Sequence, residues 1–170
     1  MVGTGHTLPK LLCLVFCKIE HAAALLPSGE VLIVGGETPS SVCLPSAELY
    51  NPASGTFTVT GSMAQARAYH VAALLPSGKV MVGTGAGNNS AELYDPSSAS
   101  FSLTAYPNDE RDGGARAVVL DSGLPLVMGG YRNYHVYRPI YRNTAEIFNA
   151  TTPNFTLSAS PTSQTVAQAL

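Results

Sequence analysis

One unit of sequence is written three times along this chain of 170 residues, and a repeat of that kind restricts the fold more than any single motif. Glu20–Gly36 laid over Tyr69–Gly85, an offset of 49, is identical at ten of 17 positions. The matches include His21 with His70, Leu25–Gly29 with Leu74–Gly78, and Gly36 with Gly85. A third copy, Gly114–Gly130, follows 45 residues later and keeps Leu120, Ser122, Gly123, Gly129 and Gly130. A second motif trails each copy: Ala47-Glu48-Leu49-Tyr50-Asn51-Pro52, Ala91-Glu92-Leu93-Tyr94-Asp95-Pro96 and Ala145-Glu146-Ile147-Phe148-Asn149. An aromatic residue then closes each unit, at Phe57, Phe101 and Phe155.

Each unit reads as four short strands. Tyr69–Leu75 is apolar on both alternating faces, as expected of a strand covered on both sides. Pro76-Ser77-Gly78 is a turn, Lys79–Thr84 returns as a second strand, and the glycines that end it allow close backbone approach. Ser90–Tyr94 is a third strand stopped by Asp95-Pro96, and Ser100–Thr104 a fourth that packs Phe101 on the outside. Composition agrees: 12% of residues are charged, 45% are hydrophobic, and 16 Gly and 12 Pro supply turns. A net charge of −2 gives no reason to expect nucleic acid.

The pattern Arg67-x-x-His70, Leu-Leu-Pro-Ser-Gly, a Gly pair and Ala-Glu-Leu-Tyr-Asp-Pro resembles the kelch repeats of the galactose-oxidase-like branch, over about residues 18–160. The resemblance implies an all-β, kelch-type β-propeller built of three four-stranded antiparallel blades, incomplete by itself. It departs from the family at Phe57, Phe101 and Phe155, where Trp is usual, at Gly83-Thr84-Gly85, and in a third unit without the His. The blades fall at 18–66, 67–111 and 112–160. An atypical segment (1–17) precedes them, and 161–170 reads as the start of a next blade. Lys18 takes the place of Arg67 in the first unit.

Propellers generally close with four to eight blades. Three blades leave two faces bare, beyond the roughly 300–600 Å² apolar patch usual on a soluble monomer. Three outcomes are open: part of a longer product, two copies pairing three blades with three, or an open arc with Leu11–Phe16 as an added edge strand. The apolar run Leu11–Cys17 sits at the lower limit for a signal segment and is too short to span a membrane. Cleavage after it, at Ala22–Ala24, would remove a strand. Extracellular and cytoplasmic locations both stay open, and the sequons at Asn88, Asn149 and Asn154 matter only in the former. Cys13, Cys17 and Cys43 lack metal-ligand spacing and are read as apolar residues.

Features that recur between units are expected to be structural: Gly36, Gly85, Gly129 and Gly130, Arg67, the glutamates Glu48, Glu92 and Glu146, and His21 and His70, each read as a satisfied inner-strand histidine. A repeated Glu is expected to accept hydrogen bonds between strands or from an Arg. Asn108–Asp112, between the second and third blades, is read as a solvated turn. The asymmetric feature is Tyr131–Asn143, taken as a 13-residue loop between second and third strands. It carries Tyr131, Arg132, Tyr134, His135, Tyr137, Arg138, Tyr141 and Arg142, residue types that dominate binding hot spots. Binding and plain packing are the two readings of that stretch.

The expected function is a non-catalytic recognition scaffold for a protein partner, with no cofactor or metal. A homodimer completing a propeller and a carbohydrate ligand are also open. The rival is a piece of a secreted copper radical oxidase, which the resemblance brings to Tyr69 and His70. Tyr69 stands nine residues before Gly78, as that site requires, but the Cys it would be linked to falls at Glu20, with Cys17 three residues away. The stacking Trp is missing, since the chain has none.

Overall fold

A computed structural model describes residues 18–86, 89–134, 138–149 and 156–158, and every described element is a strand. The first sheet contains β1 (Ala22–Leu25), β2 (Val31–Val34), β3 (Ala47–Asn51) and β4 (Thr56–Val59). The second contains β5 (Val71–Leu74), β6 (Val80–Gly83), β7 (Ala91–Asp95) and β8 (Ser100–Ala105). The third contains β9 (Gly113–Val119), β10 (Pro125–Tyr134), β11 (Arg138–Tyr141), β12 (Ala145–Ile147) and β13 (Thr156–Ser158). The strands of the first two sheets pair antiparallel in chain order, and the third follows the same order apart from the added β11. Among the described residues no helix is long and apolar enough to cross a membrane.

The sheets are blades stacked face to face, with β1 beside β5 and β5 beside β9 at the inner edge. Strand alternation sorts each side chain to one seam or the other. Val80 and Val82 point to the first blade and join Ala24, Leu32, Val34, Ala47 and Tyr94. Met81, between them, points the other way and joins Val71, Ala73, Ala91, Ala115, Val127 and Phe148. The second blade is therefore covered on both sides, and β6 is buried along its whole length. The outer faces of the first and third blades keep apolar residues in water: Leu25 is 63% exposed and Val118 47%.

Recurrent backbone geometry holds each inner edge. Gly36, Gly85 and Gly130 all have φ near +90°, and a Cβ on each would lie within 2.4–2.7 Å of the carbonyl oxygen of Ile19, Ala68 or Gly113 respectively. Only glycine satisfies both the angle and the space. The residue after each of those carbonyls, Glu20, Tyr69 or Gly114, is itself left-handed. Tyr69 therefore precedes β5 instead of lying within it, since a residue at φ 57° cannot continue the ladder.

Three sequence expectations need correction. Tyr131–Asn143 is no loop, because β10 runs on to Tyr134 and turns back through β11, pairing Tyr131 with Tyr141 and Arg132 with Ile140. Pro139 is tolerated because β11 is the sheet edge. Asn108–Asp112 is solvated only in part: Asn108 is exposed, but Arg111 is buried, and the amides of Asn108 and Asp109 donate to Glu146. His70 is buried but not satisfied, as neither ring nitrogen has a hydrogen-bond partner of normal geometry, while His21 is exposed. Cys43 is a free thiol near the Ala86 carbonyl; Cys13, Cys17, Leu11–Phe16, Asn88, Asn154 and Phe155 lie outside the described residues.

Candidate recognition site

The repeated charged residues assemble into clamps at the blade seams. Arg67, fully buried, donates from Nη2 to Glu92 Oε1 (2.8 Å) and Ser90 Oγ (2.9 Å), and from Nη1 to the Ser90 carbonyl (2.6 Å). Glu92 also accepts from the amides of Ala64 and Gln65, in the linker between the first two blades. Burial lowers the Arg67 pKa, and Glu92 opposes that shift. Arg111 repeats the arrangement in the third blade, donating to Glu146 (3.1 Å), Thr144 Oγ1 and the Gly129 carbonyl. In the first blade Lys18 stands in, 2.9 Å from Glu48. Buried charges persist in such sites because each is hydrogen-bonded several times over. Arg111 was hidden from the repeat alignment by one added residue: Arg67 precedes the left-handed Tyr69 by two positions, Arg111 precedes Gly114 by three. Ser46, Ser90 and Thr144, one residue before each Ala-Glu, were a recurring signal left unread.

Two features break the symmetry. The first is a cavity of about 370 Å³ at the inner end of the blades, lined by Glu20, His21, Tyr69, His70, Arg116 and Tyr131 among others. The Tyr69 hydroxyl donates to the buried Glu37 (3.1 Å), and that hydrogen bond, ahead of burial, raises the Tyr69 pKa. Burial, and then the positive charge of Arg67, holds His70 down at about 3, so the ring is neutral at physiological pH.

The second is the β10–β11 ribbon. Two of its arginines are held by the linker ahead of the third blade: Arg132 pairs with Glu110, and Arg142 pairs with Asp109 (3.3 Å) while donating from Nε to the Glu110 carbonyl. Tyr131 packs against Gly113 and Gly114, where a Cβ on Gly113 would meet its hydroxyl at 2.7 Å. Tyr141 and Ile140 face water, 77% and 47% exposed. Of the expected binding residues, the structure thus places Tyr131 against its own blade, Arg132 and Arg142 on the linker ahead of it, and leaves Tyr141 outward. Tyr134 and Arg138 are paired in the backbone ladder, and His135 and Tyr137 lie outside the described residues. Ile140 carries no such signal in the sequence, being neither Tyr nor Arg. Among the described residues no group of three or more His, Cys, Asp or Glu is placed to hold a metal ion.

No family model matches the chain, and no curated protein matches it. Among solved structures, that of YjhT is similar in fold, with a TM-score of 0.67 at 14% identity over 83% of this chain. The match takes in 51% of the YjhT chain, so this chain spans about half the length of that neighbour. At this identity the likeness bears on the fold: an all-β, blade-type arrangement of antiparallel sheets, none closed into a ring.

Proposed function

We propose that the chain is a non-catalytic, kelch-type propeller sector that recognises a protein partner through the β10–β11 ribbon. The observation that supports this reading is the ribbon's division of labour. Its described arginines, Arg132 and Arg142, anchor it to the linker ahead of the third blade, while Ile140 and Tyr141 are left in water on the edge strand. An anchored ribbon presenting an aromatic side chain loses little entropy on binding, which favours affinity. Among the described residues the first two blades carry no strand of this kind there, the first having only a single bridge, Glu37 with Cys43.

The test is selection of protein ligands by display against the immobilised chain, followed by Ile140→Ser and Tyr141→Ala. Each substitution is expected to weaken a selected partner by at least about tenfold, the scale of an interface hot spot, with an unchanged melting curve. Equal affinity for both variants would refute the proposal, and a parallel fall in stability would assign the ribbon to packing.

A second reading, carbohydrate binding, is favoured by the inner cavity, where Tyr69 and Tyr131 stand beside Glu20, His21 and Arg116. Aromatic faces and charged hydrogen-bonding groups together suit a polyhydroxylated ligand. Glycan-array binding lost on Tyr69→Ala and kept on Tyr141→Ala would favour it over the ribbon.

A further inference from the structure

We infer that the inner cavity binds a small zwitterion, a free α-amino acid, whose ammonium meets Glu20 and whose carboxylate meets Arg116. The inference uses the cavity of the carbohydrate reading and is independent of the ribbon. It starts where the repeat stops repeating. Glu20, Tyr69 and Gly114 are equivalent residues of the three blades, all left-handed and all on the cavity lining. Arg116, also on the lining, stands where the first two units have Ala22 and Val71. Positions that serve the blade alone are filled alike in each copy, as Gly36, Gly85 and Gly130 are. The lining positions instead carry a carboxylate, a phenol and a guanidinium.

Glu20 and Arg116 are both exposed, and neither forms an ion pair among the described residues, with the other or with a third group. Arg116 gives one N–H to the Ala115 carbonyl (3.0 Å) and keeps its remaining donors. The cavity is polarised between them. Glu20 and Glu37 both act on the Tyr69 hydroxyl, on the side of the first two blades, while Arg116 belongs to β9 of the third. The proton of that hydroxyl is committed to Glu37, so its oxygen remains as an acceptor, suited to an ammonium. The buried ring of His70 is neutral at physiological pH and adds charge to neither side. Tyr131 completes the wall beside Tyr69. A Cβ on Gly113 would meet the Tyr131 hydroxyl at 2.7 Å and the Tyr69 Cβ at 3.3 Å, so glycine there makes room for both rings.

Charge selects the ligand. An anion is repelled by Glu20, a cation by Arg116, and a neutral sugar leaves both ions without a counter-charge. A molecule carrying both charges satisfies both through charge-assisted hydrogen bonds. At about 370 Å³ the cavity lies near the small end of ligand sites, about 300–1,000 Å³, which suits a single amino acid.

The measurement is isothermal titration calorimetry of the standard free L-amino acids against the folded full chain at neutral pH, with circular dichroism of every variant. At least one should bind tighter than about 1 mM. On the wild-type chain, the matching amine without the carboxylate and the matching N-acetylated acid should each bind at least about tenfold more weakly, the scale of a hydrogen bond to a charged group. Glu20→Gln and Arg116→Gln should each weaken the amino acid by a similar factor. The amine should respond to Glu20→Gln and ignore Arg116→Gln, and the N-acetylated acid should do the reverse. Tyr141→Ala should leave binding unchanged, so failure of the ribbon proposal and of this one are distinguishable. Binding by none of the amino acids, or binding indifferent to removal of either charge from ligand or protein, would overturn the inference. A methyl glycoside bound as tightly as the best amino acid would also overturn it, in favour of the carbohydrate reading.

Discussion

The buried imidazole of His70 ties stability to pH in a calculable way. It sits against Gly35 and Val34 of the first blade, 8% exposed, close to the Arg67 guanidinium and with His21 nearby. Its pKa in the folded chain is about 3, lowered by burial first and by the positive charge of Arg67 second. An unfolded histidine titrates near 6.5. The folded value is the lower one, so protons bind the unfolded chain preferentially and stability is lost as pH falls below about 6.5. Between pH 7 and pH 5 the loss from this one group is about 2 kcal/mol, and any folded value below about 4 gives the same result. For a domain of this size that is a fall of roughly 5 °C in Tm. The assay is urea denaturation of wild type and His70→Asn at both pH values. Groups common to the two chains cancel to first order in the comparison. The wild type should lose about 2 kcal/mol more than the variant. Equal losses, or a His70 imidazole resonance that titrates near 6.5 in the folded chain, would refute the reasoning.

Two further tests address the clamps and the inner edge. Glu92→Ala leaves Arg67 buried without its carboxylate and should cost about 3–5 kcal/mol by denaturant titration, whereas Lys79→Ala, which breaks the exposed pair with Asp95, should leave the midpoint where it was. Gly29→Ala meets open space and bears only the left-handed backbone penalty of about 1–2 kcal/mol. Gly85→Ala adds contact with the Ala68 carbonyl at 2.4 Å and should be clearly more destabilising in the same assay.

The strands and turns were legible because each repeats three times, so that a chance match in one unit fails in the others. The ribbon was not. Tyr131–Arg142 has a composition suited to binding, and Pro139 argues against a strand unless that strand lies at an edge, which only the assembled sheet reveals. The buried state of Arg111 was equally invisible, since Asn108-Asp109-Glu110-Arg111-Asp112 is as polar as any surface turn. Arg111 alone of the stretch is buried, paired with Glu146, a residue 35 positions further along. The two histidines show the same limit: His21 and His70 occupy matching positions, and only His70 has a blade packed over it.

Because Glu92 grips the amides of residues 64 and 65, and Glu146 those of 108 and 109, each connector is locked into the sheet that follows it. A chain break in one of the outer hairpins, at Ser54 or Ser98, would leave every lock intact, whereas a cut at Ala64 or Asn108 would sever the connector at the very amides that Glu92 or Glu146 holds. Circular permutants and split halves should therefore survive when divided at the rim and fail when divided at the joints.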